Sequence, residues 1–429
     1  MLDEAQPVHY LRAMGSSLLR QIICIAASVQ VGIFGAVAAP AQKDRLHLTA
    51  PAREIPANFF GMHFHHAGKT TPWPAMPIGA WRLWDAYVAW PDLEPKRGQW
   101  QFETLDRCVA LAEEHHVELL LVLGQSPTWA SARPRERSPY HSGNAAEPTN
   151  LDDWRAYVRA VATRYKGRIR TYEIWNEPNL KQFWTGSLAQ LIALTREASQ
   201  AIHGVDPDAV VVSPSAVGAA GVRWLARFLA QGGGKFVDVI GFHFYVDPRA
   251  PEAMLPRIRA VKRVMQERGV GAKPLWNTES GWSRPKPFPS DELGAAYLAR
   301  AFVLNWAAGV ERIYWYAWDN HDWVSLQTTE RDDKTLKPAA KGYETVENWL
   351  LGARLESCRE DKKRTWICEL RRDDVRHWIV WNARRKTQLQ IAENWHAKTI
   401  MPLLGPATEI HGSRIAIGTT PVLVSTEAR

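Results

Sequence analysis

From about residue 55 to 345, short apolar runs alternate with longer amphipathic ones, and a chain patterned this way is confined to a parallel sheet with crossover helices. Eight candidate strands can be counted: Gly61 to His65, Ala80 to Trp84, Glu118 to Leu123, Thr171 to Trp175, Val210 to Ser213, Val237 to Phe244, Pro274 to Thr278 and Arg312 to Ala317. Between them lie helix-like stretches: Phe102 to His115, Leu151 to Tyr165, Leu188 to His203, Arg223 to Gln231, Pro256 to Gly269 and Asp291 to Gly309. Several open on Asp, Ser or Thr and close on Gly. Eight such units over roughly 290 residues predict an α/β fold, a (β/α)₈ TIM barrel spanning 55–345. After a last helix, Tyr343 to Leu351, the character changes to runs rich in Ile, Val and Trp: Thr365 to Leu370, His377 to Trp381, Thr387 to Ala392, Thr399 to Leu404 and Pro421 to Ser425. These predict a small C-terminal antiparallel β-sandwich over 346–429. Residues 39–54 are a linker, in which Arg45 to Thr49 alternate and form a candidate strand of that domain.

The N-terminus stands outside this pattern. Arg12 and Arg20 precede an apolar run from Ile22 to Val37, and Ala36-Val37-Ala38 supplies small residues, so 1–38 is expected to be a cleaved signal peptide and the mature protein periplasmic or secreted. An uncleaved anchor is the alternative, although the run is shorter than the ~20 residues of a spanning helix. Cysteine usage suits an oxidising compartment. Cys24 leaves with the signal, Cys358 and Cys368 lie in a strand-rich stretch and are expected to pair, and Cys108 is left as a buried thiol inside a helix. The formal charge is +8, but Lys and Arg are scattered among Asp and Glu, which argues against a nucleic-acid partner. A more pointed number is 21 Trp, because the indole face packs well on the C–H face of a sugar ring.

Glycosidic hydrolysis needs a carboxylic acid to protonate the leaving oxygen and a carboxylate to attack or to activate water. In a barrel such groups belong at the C-terminal ends of strands. Glu177, in Trp175-Asn176-Glu177-Pro178-Asn179, and Glu279, in Trp276-Asn277-Thr278-Glu279, fall just past the fourth and seventh candidate strands. A retaining pair would set their carboxyls about 5 to 5.5 Å apart. Proximity to Glu279 is expected to raise the pKa of Glu177. His243 and Tyr245 are two apart and share a face of their strand. Strict alternation would put Asn176 on the opposite face from Glu177, so the strand must end or bulge there, and Pro178 suits that.

The run Trp175-Asn176-Glu177-Pro178-Asn179 resembles the acid/base motif of clan A glycoside hydrolases, with Glu279 placed like their nucleophile. Arg82-Leu83-Trp84-Asp85, then Trp90 with Leu93-Glu94-Pro95, Gly98 and Phe102, and finally Pro127-Thr128-Trp129-Ala130 follow in the order seen in family 39. That family's nearest members include β-xylosidases and endoglycosidases of bacterial biofilm exopolysaccharide. The resemblance implies that Glu177 is the acid/base, Glu279 the nucleophile, and Asn176 a ligand of the sugar 2-hydroxyl. It also implies that His243 and Tyr245 flank the nucleophile, that Arg82 keeps it ionised, and that Trp318 floors the sugar at the cleaved position. Trp129, Trp184, Trp282 and Trp323 are candidates to floor neighbouring subsites.

A rival reading starts from His63, His65 and His66, since His-x-His on a first barrel strand suits a metal-dependent amidohydrolase, with Glu177, His243 and Asp319 completing the site. The fifth candidate strand ends Val212-Ser213-Pro214-Ser215 without the histidine such a site wants. A sugar-binding His65 is the simpler account, and no cofactor or metal is expected. The expectation is therefore a retaining glycoside hydrolase cleaving β-glycosidic bonds in a polysaccharide or oligosaccharide. The many top-face Trp candidates point to a long cleft and endo action on an exopolysaccharide. The alternatives are an exo-acting β-xylosidase-like glycosidase or the metal-dependent barrel enzyme.

Overall fold

The structure, a computed structural model, describes residues 44–426; the signal-peptide reading of 1–38 lies outside the described residues. Eight parallel strands form the barrel: Phe60–Met62, Ala80–Leu83, Glu118–Leu123, Thr171–Ile174, Val210–Val212, Ile240–His243, Leu275–Ser280 and Arg312–Trp315, called the first to eighth strands below. Hydrogen bonding runs in the order fifth, fourth, third, second, first, eighth, seventh, sixth, with the two-residue strand Ala216–Val217 added beyond the sixth. A parallel bridge between Val212 and Val239 closes the ring, with the Ser213 N–H donating to Val239 O at 2.9 Å.

The helices between strands begin where a side chain satisfies a free N–H. Asn150 Oδ1 accepts from Asp152 N ahead of Leu151–Arg164, Ser187 and Gln190 cap each other ahead of Leu188–Val205, and Ser290 accepts from Leu293 N ahead of Asp291–Ala307. The helix expected from Arg223 begins earlier, at Gly218, and runs to Ala230. Its first turn, Gly-Ala-Ala-Gly, carries no polar cap and so left no start signal. Cys108 is a free, buried thiol, and burial pushes its pKa up to about 12.

Inside the barrel, Ala80, Leu120, Val212, Val239, Trp276 and Tyr314 form an apolar layer of their own. Moving two residues along several of these strands reaches Arg82, Val122, Thr278 and Tyr316, and Glu173 of the fourth strand joins them through its bonds to Arg82 and Thr278. Period two thus makes the lower layer apolar and the upper layer polar.

After the last helix, Pro338–Leu350, a seven-stranded antiparallel sheet runs in the spatial order Leu46–Leu48, Arg354–Glu360, Thr365–Arg372, Val375–Asn382, Val422–Ser425, Thr399–Pro402 and Thr408–Glu409. A ribbon of Thr387–Gln390 and Arg414–Ile417 covers one face. Trp378, Val380, Val422 and Val424 pack with Ile415, Ile417 and Trp395 on that side, while Trp366, Cys368, Leu370, Ile379 and Trp381 belong to the same core as the barrel. The sheet is buried on both faces, and alternation within each strand decides which side a residue serves. Arg300 fastens the two parts, donating to Glu252 Oε2 at 2.6 Å and to Thr419 O at 3.1 Å, while the Trp381 indole donates to Glu252 Oε1 at 2.9 Å. Cys358 and Cys368 are directly opposed across neighbouring strands and form a disulfide. Among the described residues, no helix is long and apolar enough to cross a membrane.

Candidate active site

Arg82 lies at the centre of the barrel mouth, wholly buried, and divides its donors three ways. Nε donates to Glu173 Oε2 at 2.6 Å, Nη1 to Glu279 Oε2 at 2.8 Å and Nη2 to Asn176 Oδ1 at 2.8 Å. Glu173 also accepts from Thr278 Oγ1 at 3.2 Å, and Thr278 Oγ1 lies 2.7 Å from the Ser215 hydroxyl. A buried guanidinium between two carboxylates stays charged, and the geometry of its fork fixes all three partners.

Glu177 reaches this centre because the fourth strand ends at Ile174 and the backbone then turns. Trp175 and Glu177 take φ of 63° and 43°, left-handed values that non-glycine residues adopt only when their surroundings compel it. The Glu177 N–H donates to Ser215 O at 2.9 Å, and Asn176 bridges Ser215. The turn lets Asn176 and Glu177 both face the mouth, as the sequence required.

Glu279 arrives differently. Within the seventh strand the register against the sixth shifts between Phe242 paired with Asn277 and His243 paired with Glu279. Thr278 is the extra residue of a bulge, and Thr278 and Glu279 consequently point into the same space. The strand extends to Ser280, two residues past the expected end.

One oxygen of each carboxyl and a ring nitrogen of His243 lie within 4.8 Å of one another. His243 Nδ1 stands 2.9 Å from Glu177 Oε1 and 3.8 Å from Glu279 Oε1, and the Tyr245 hydroxyl donates to Glu279 Oε1 at 2.9 Å. Exposure is 8% for Glu177 and 6% for Glu279. Burial pushes the Glu177 pKa up to about 7, with Arg82 opposing and the charges of Asp85 and Glu173 adding to it. The expected cause, proximity to Glu279, is thus corrected to desolvation first. Burial also raises Glu279, against the pull of His243 and Arg82. His243 is pushed down to about 4 by burial, so its ring is neutral at pH 7. Burial and the neighbouring carboxylates raise Tyr245 well above its ordinary value, which keeps its hydroxyl a donor.

A cavity of about 560 Å³, whose lining includes His65, Asp85, Tyr87, Gln125, Tyr140 and Asn320 but neither Glu177 nor Glu279, opens at the ends of the first three strands. Asp85 accepts from the Tyr140 hydroxyl at 2.6 Å and from the Tyr316 hydroxyl at 2.9 Å. The structure therefore gathers Arg82, Asn176, Glu177, His243, Tyr245 and Glu279 as expected and sets His65 in the adjoining wall.

Two expected sugar floors are placed otherwise. Trp318 is 1% exposed, packs against Phe64, and its indole donates to Asp333 O at 3.1 Å. Tyr316, two residues earlier, is the ring that fronts the site, 5.1 Å from His63 and 5.0 Å from His65. Trp129 donates to Glu94 O at 2.9 Å with Arg97 over its ring, in a loop also tied by Glu94 accepting from Trp90 and from Gly98 N. Of the other Trp candidates, Trp184 and Trp282 are buried. Trp323 is 45% exposed, its ring edge-on to Tyr245 and Tyr316.

The metal grouping dissolves. His63 Nε2 lies 3.2 Å from Thr278 O, and Asp319 accepts from the backbone N–H of His65 and His66 and from Thr71 Oγ1. Among the described residues the one trio of potential ligand side chains is Glu177, His243 and Glu279, which includes neither His63, His65 nor Asp319. Glu173 and Tyr316 were not singled out in the sequence, and Asp85 stood in its motif without a role. Glu173 was signalled by a charge at an inward position of an otherwise apolar strand, and Tyr316 by its spacing of two from Tyr314.

A closed (β/α)₈ barrel carrying two buried carboxyls at the C-terminal ends of its fourth and seventh strands has the architecture of the barrel glycoside hydrolases. The sequence model of the family described as glycosyl hydrolases family 39 matches residues 84–310, and the chain belongs to that family. It is 28% identical over 189 residues to a β-xylosidase of Geobacillus stearothermophilus, covering 38% of this chain and 37% of that one. With a β-xylosidase of Caldicellulosiruptor saccharolyticus it shares 32% over 186 residues, 39% of this chain and 37% of the relative. The match thus spans about 37% of the length of either curated relative. In fold it is similar to a family 39 glycoside hydrolase from Bacteroides cellulosilyticus WH2, with TM-score 0.70 and 18% identity, covering 88% of this chain and 81% of that one. A family 39 β-xylosidase from Caulobacter crescentus gives TM-score 0.66 at 16% identity, covering 88% and 98%.

Proposed function

We propose that the protein is a retaining β-glycosidase of β-xylosidase type, with Glu177 as general acid/base and Glu279 as nucleophile. The observation that carries this reading is the approach of one oxygen of each carboxyl to within 4.8 Å of the other while the two groups' partners differ. That closeness suits a covalent intermediate; an inverting pair needs about 6.5 Å or more to admit water between them.

In the first step Glu177 gives its proton to the glycosidic oxygen while an oxygen of Glu279 attacks the anomeric carbon and the leaving group departs as an alcohol. Arg82 and Tyr245 each bond one oxygen of Glu279, which favours its ionised form against the cost of burial. In the second step Glu177, now ionised, takes a proton from water, whose oxygen displaces Glu279 from the sugar. Asn176 Oδ1 accepts from Arg82, so its Nδ2 is the group left to donate to a sugar hydroxyl. Neutral His243 holds the carboxyl of Glu177 in place without adding a charge.

The exo-acting reading is favoured because two of the indoles that would floor a long cleft, Trp184 and Trp282, are buried. Exposed Trp323, seated against Tyr245, is the observation on which a second reading, endo-acting hydrolysis of an exopolysaccharide, rests. Product analysis on an aryl β-xyloside, β-xylo-oligosaccharides and bacterial exopolysaccharides separates them. Monosaccharide released with retained anomeric configuration is expected; short oligosaccharides appearing first would give the site to the second reading, and inverted configuration would sink both. The export reading is retained as part of the proposal, supported by the Cys358–Cys368 disulfide. N-terminal sequencing of protein from the periplasm or medium is expected to begin at Ala39.

A further inference from the structure

Helix Gly218–Ala230 carries Arg223 and Arg227 one turn apart, both exposed, and no acidic residue. With Asn179, Ala220, Trp224 and Ala226 they line a surface cavity of about 610 Å³. Some exposed arginines of this protein lean on carboxylates, as Arg97 does on Asp153, Arg164 on Asp106 and Arg168 on Glu113, while others, such as Arg159, stand free among the described residues. Arg223 and Arg227 have no carboxylate partner among the described residues. Like charges at this spacing repel along a helix, so the pair is arranged to meet a counter-charge from outside.

The surroundings point the same way. Helix Met254–Glu267, packed beside this one, adds exposed Arg259 and Arg263. Between residues 218 and 268 nine Lys and Arg stand against four Asp and Glu, an excess of positive charge in this stretch of the chain. The cavity also has a fixed relation to the dyad. Asn179 stands two residues beyond Glu177, and its amide is locked, Oδ1 accepting from Val217 N at 2.9 Å and Nδ2 donating to Val217 O at 3.1 Å. Val217 directly precedes the helix that bears the arginines. One rigid turn therefore links the general-acid candidate to the basic wall.

We propose that this groove binds a carboxylate-bearing saccharide unit on the leaving-group side of the cleavage point, with Arg223 and Arg227 gripping its acid oxygens. Two guanidinium forks suit carboxylates. Trp224 supplies the apolar patch between them. The inference rests on the reading of Glu177 as the general acid only for the words "leaving-group side"; the binding itself is tested apart from catalysis.

The test is affinity electrophoresis of the full chain in gels containing polygalacturonate as the anionic probe or dextran as the neutral one, at low and high salt. Wild type is expected to be retarded by polygalacturonate at low salt and not by dextran. The double variant R223A/R227A should lose about tenfold or more in apparent affinity, the scale of charge-assisted hydrogen bonds. A control pair, R159A/K166A, removes the same charge from exposed positions on another part of the barrel and should leave retardation unchanged. Both pairs should keep the wild-type melting temperature, and the control pair the wild-type kcat/KM on an aryl β-xyloside. Absence of retardation in the wild type, or equal loss in both pairs, would overturn the proposal, the second by showing that diffuse charge suffices. Failure to hydrolyse aryl glycosides with the retardation pattern intact would remove the catalytic reading and leave the groove standing.

Discussion

The ends of the fourth and seventh strands deliver the same residue type to the same place by opposite means. At the fourth, the chain leaves the sheet through left-handed Trp175 and Glu177; at the seventh, it stays in the sheet and gains Thr278 as a bulge. Both glutamates end up nearly fully buried, and burial alone would make two interchangeable acids. What separates them is what else each end brings. Glu177 meets one neutral ring, whereas Glu279 meets Arg82 and the Tyr245 hydroxyl. On the proposed mechanism, fixed donors and not depth favour the proton at Glu177 and the charge at Glu279.

Breaking the seventh-strand side should do most damage. Glu279→Gln is expected to lower kcat by about 10⁴-fold or more, the scale on which enzymes lose a nucleophile. A rate within tenfold of wild type would mean that Glu279 attacks nothing. Glu177→Gln should cost roughly 10² to 10⁴-fold, least with aryl leaving groups that depart without a proton. The wild-type pH profile sharpens the same point. Because Glu177 must carry a proton and its pKa is raised to about 7, kcat/KM should fall as pH rises through about 7, and this limb should vanish in Glu177→Gln. A limb that survives the substitution would assign it elsewhere.

Tyr245→Phe tests the donor argument more gently. Losing one hydrogen bond to the Glu279 carboxylate should reduce kcat about 10- to 100-fold and move the acidic limb of the profile upward, since the ionised form loses support. An unmoved acidic limb would show that Arg82 alone sets the charge. The smallest effect comes from a carboxyl that is buried with no cation beside it. Glu347 in the last helix has its pKa raised to about 8 by burial, with Glu344 adding to the shift. The folded form holds a proton that the unfolded chain releases above its own value of about 4.5. The resulting stabilisation is complete below that pH, is lost as pH rises towards 8, and levels off beyond. Glu347→Gln should therefore raise the melting temperature by about 2 °C or more at pH 9 and by little at pH 4. Equal shifts at both values would separate Glu347 from burial-driven titration.

The barrel was legible because alternating runs of two periods leave little else to build, and the strand ends identified Glu177 and Glu279. Local backbone was less so. Nothing in Trp-Asn-Thr-Glu-Ser announces a bulge, since any of those residues sits in a strand without one. The tryptophans were the least legible. An indole N–H that finds a loop carbonyl, as Trp282 finds Arg249 O and Trp318 finds Asp333 O, is a clamp and not a platform, and only the fold shows which carbonyl is near. Glu173 needed one further step, the recognition that a charge facing inward from the fourth strand must have a buried partner.

The strand Leu46–Leu48, which pairs with Arg354–Glu360, has a meaning for how the molecule is made. Leu46 lies opposite Glu360, so a segment synthesised before the whole barrel finds its partner only after the barrel is complete. It is a late, long-range closure, slow by the usual dependence of folding on contact separation. Until it closes, Arg354–Glu360 stands as a bare sheet edge open to pairing with another chain. Residues 46–48 are thus a seal against self-association, and the growing chain is most prone to aggregate just before they dock.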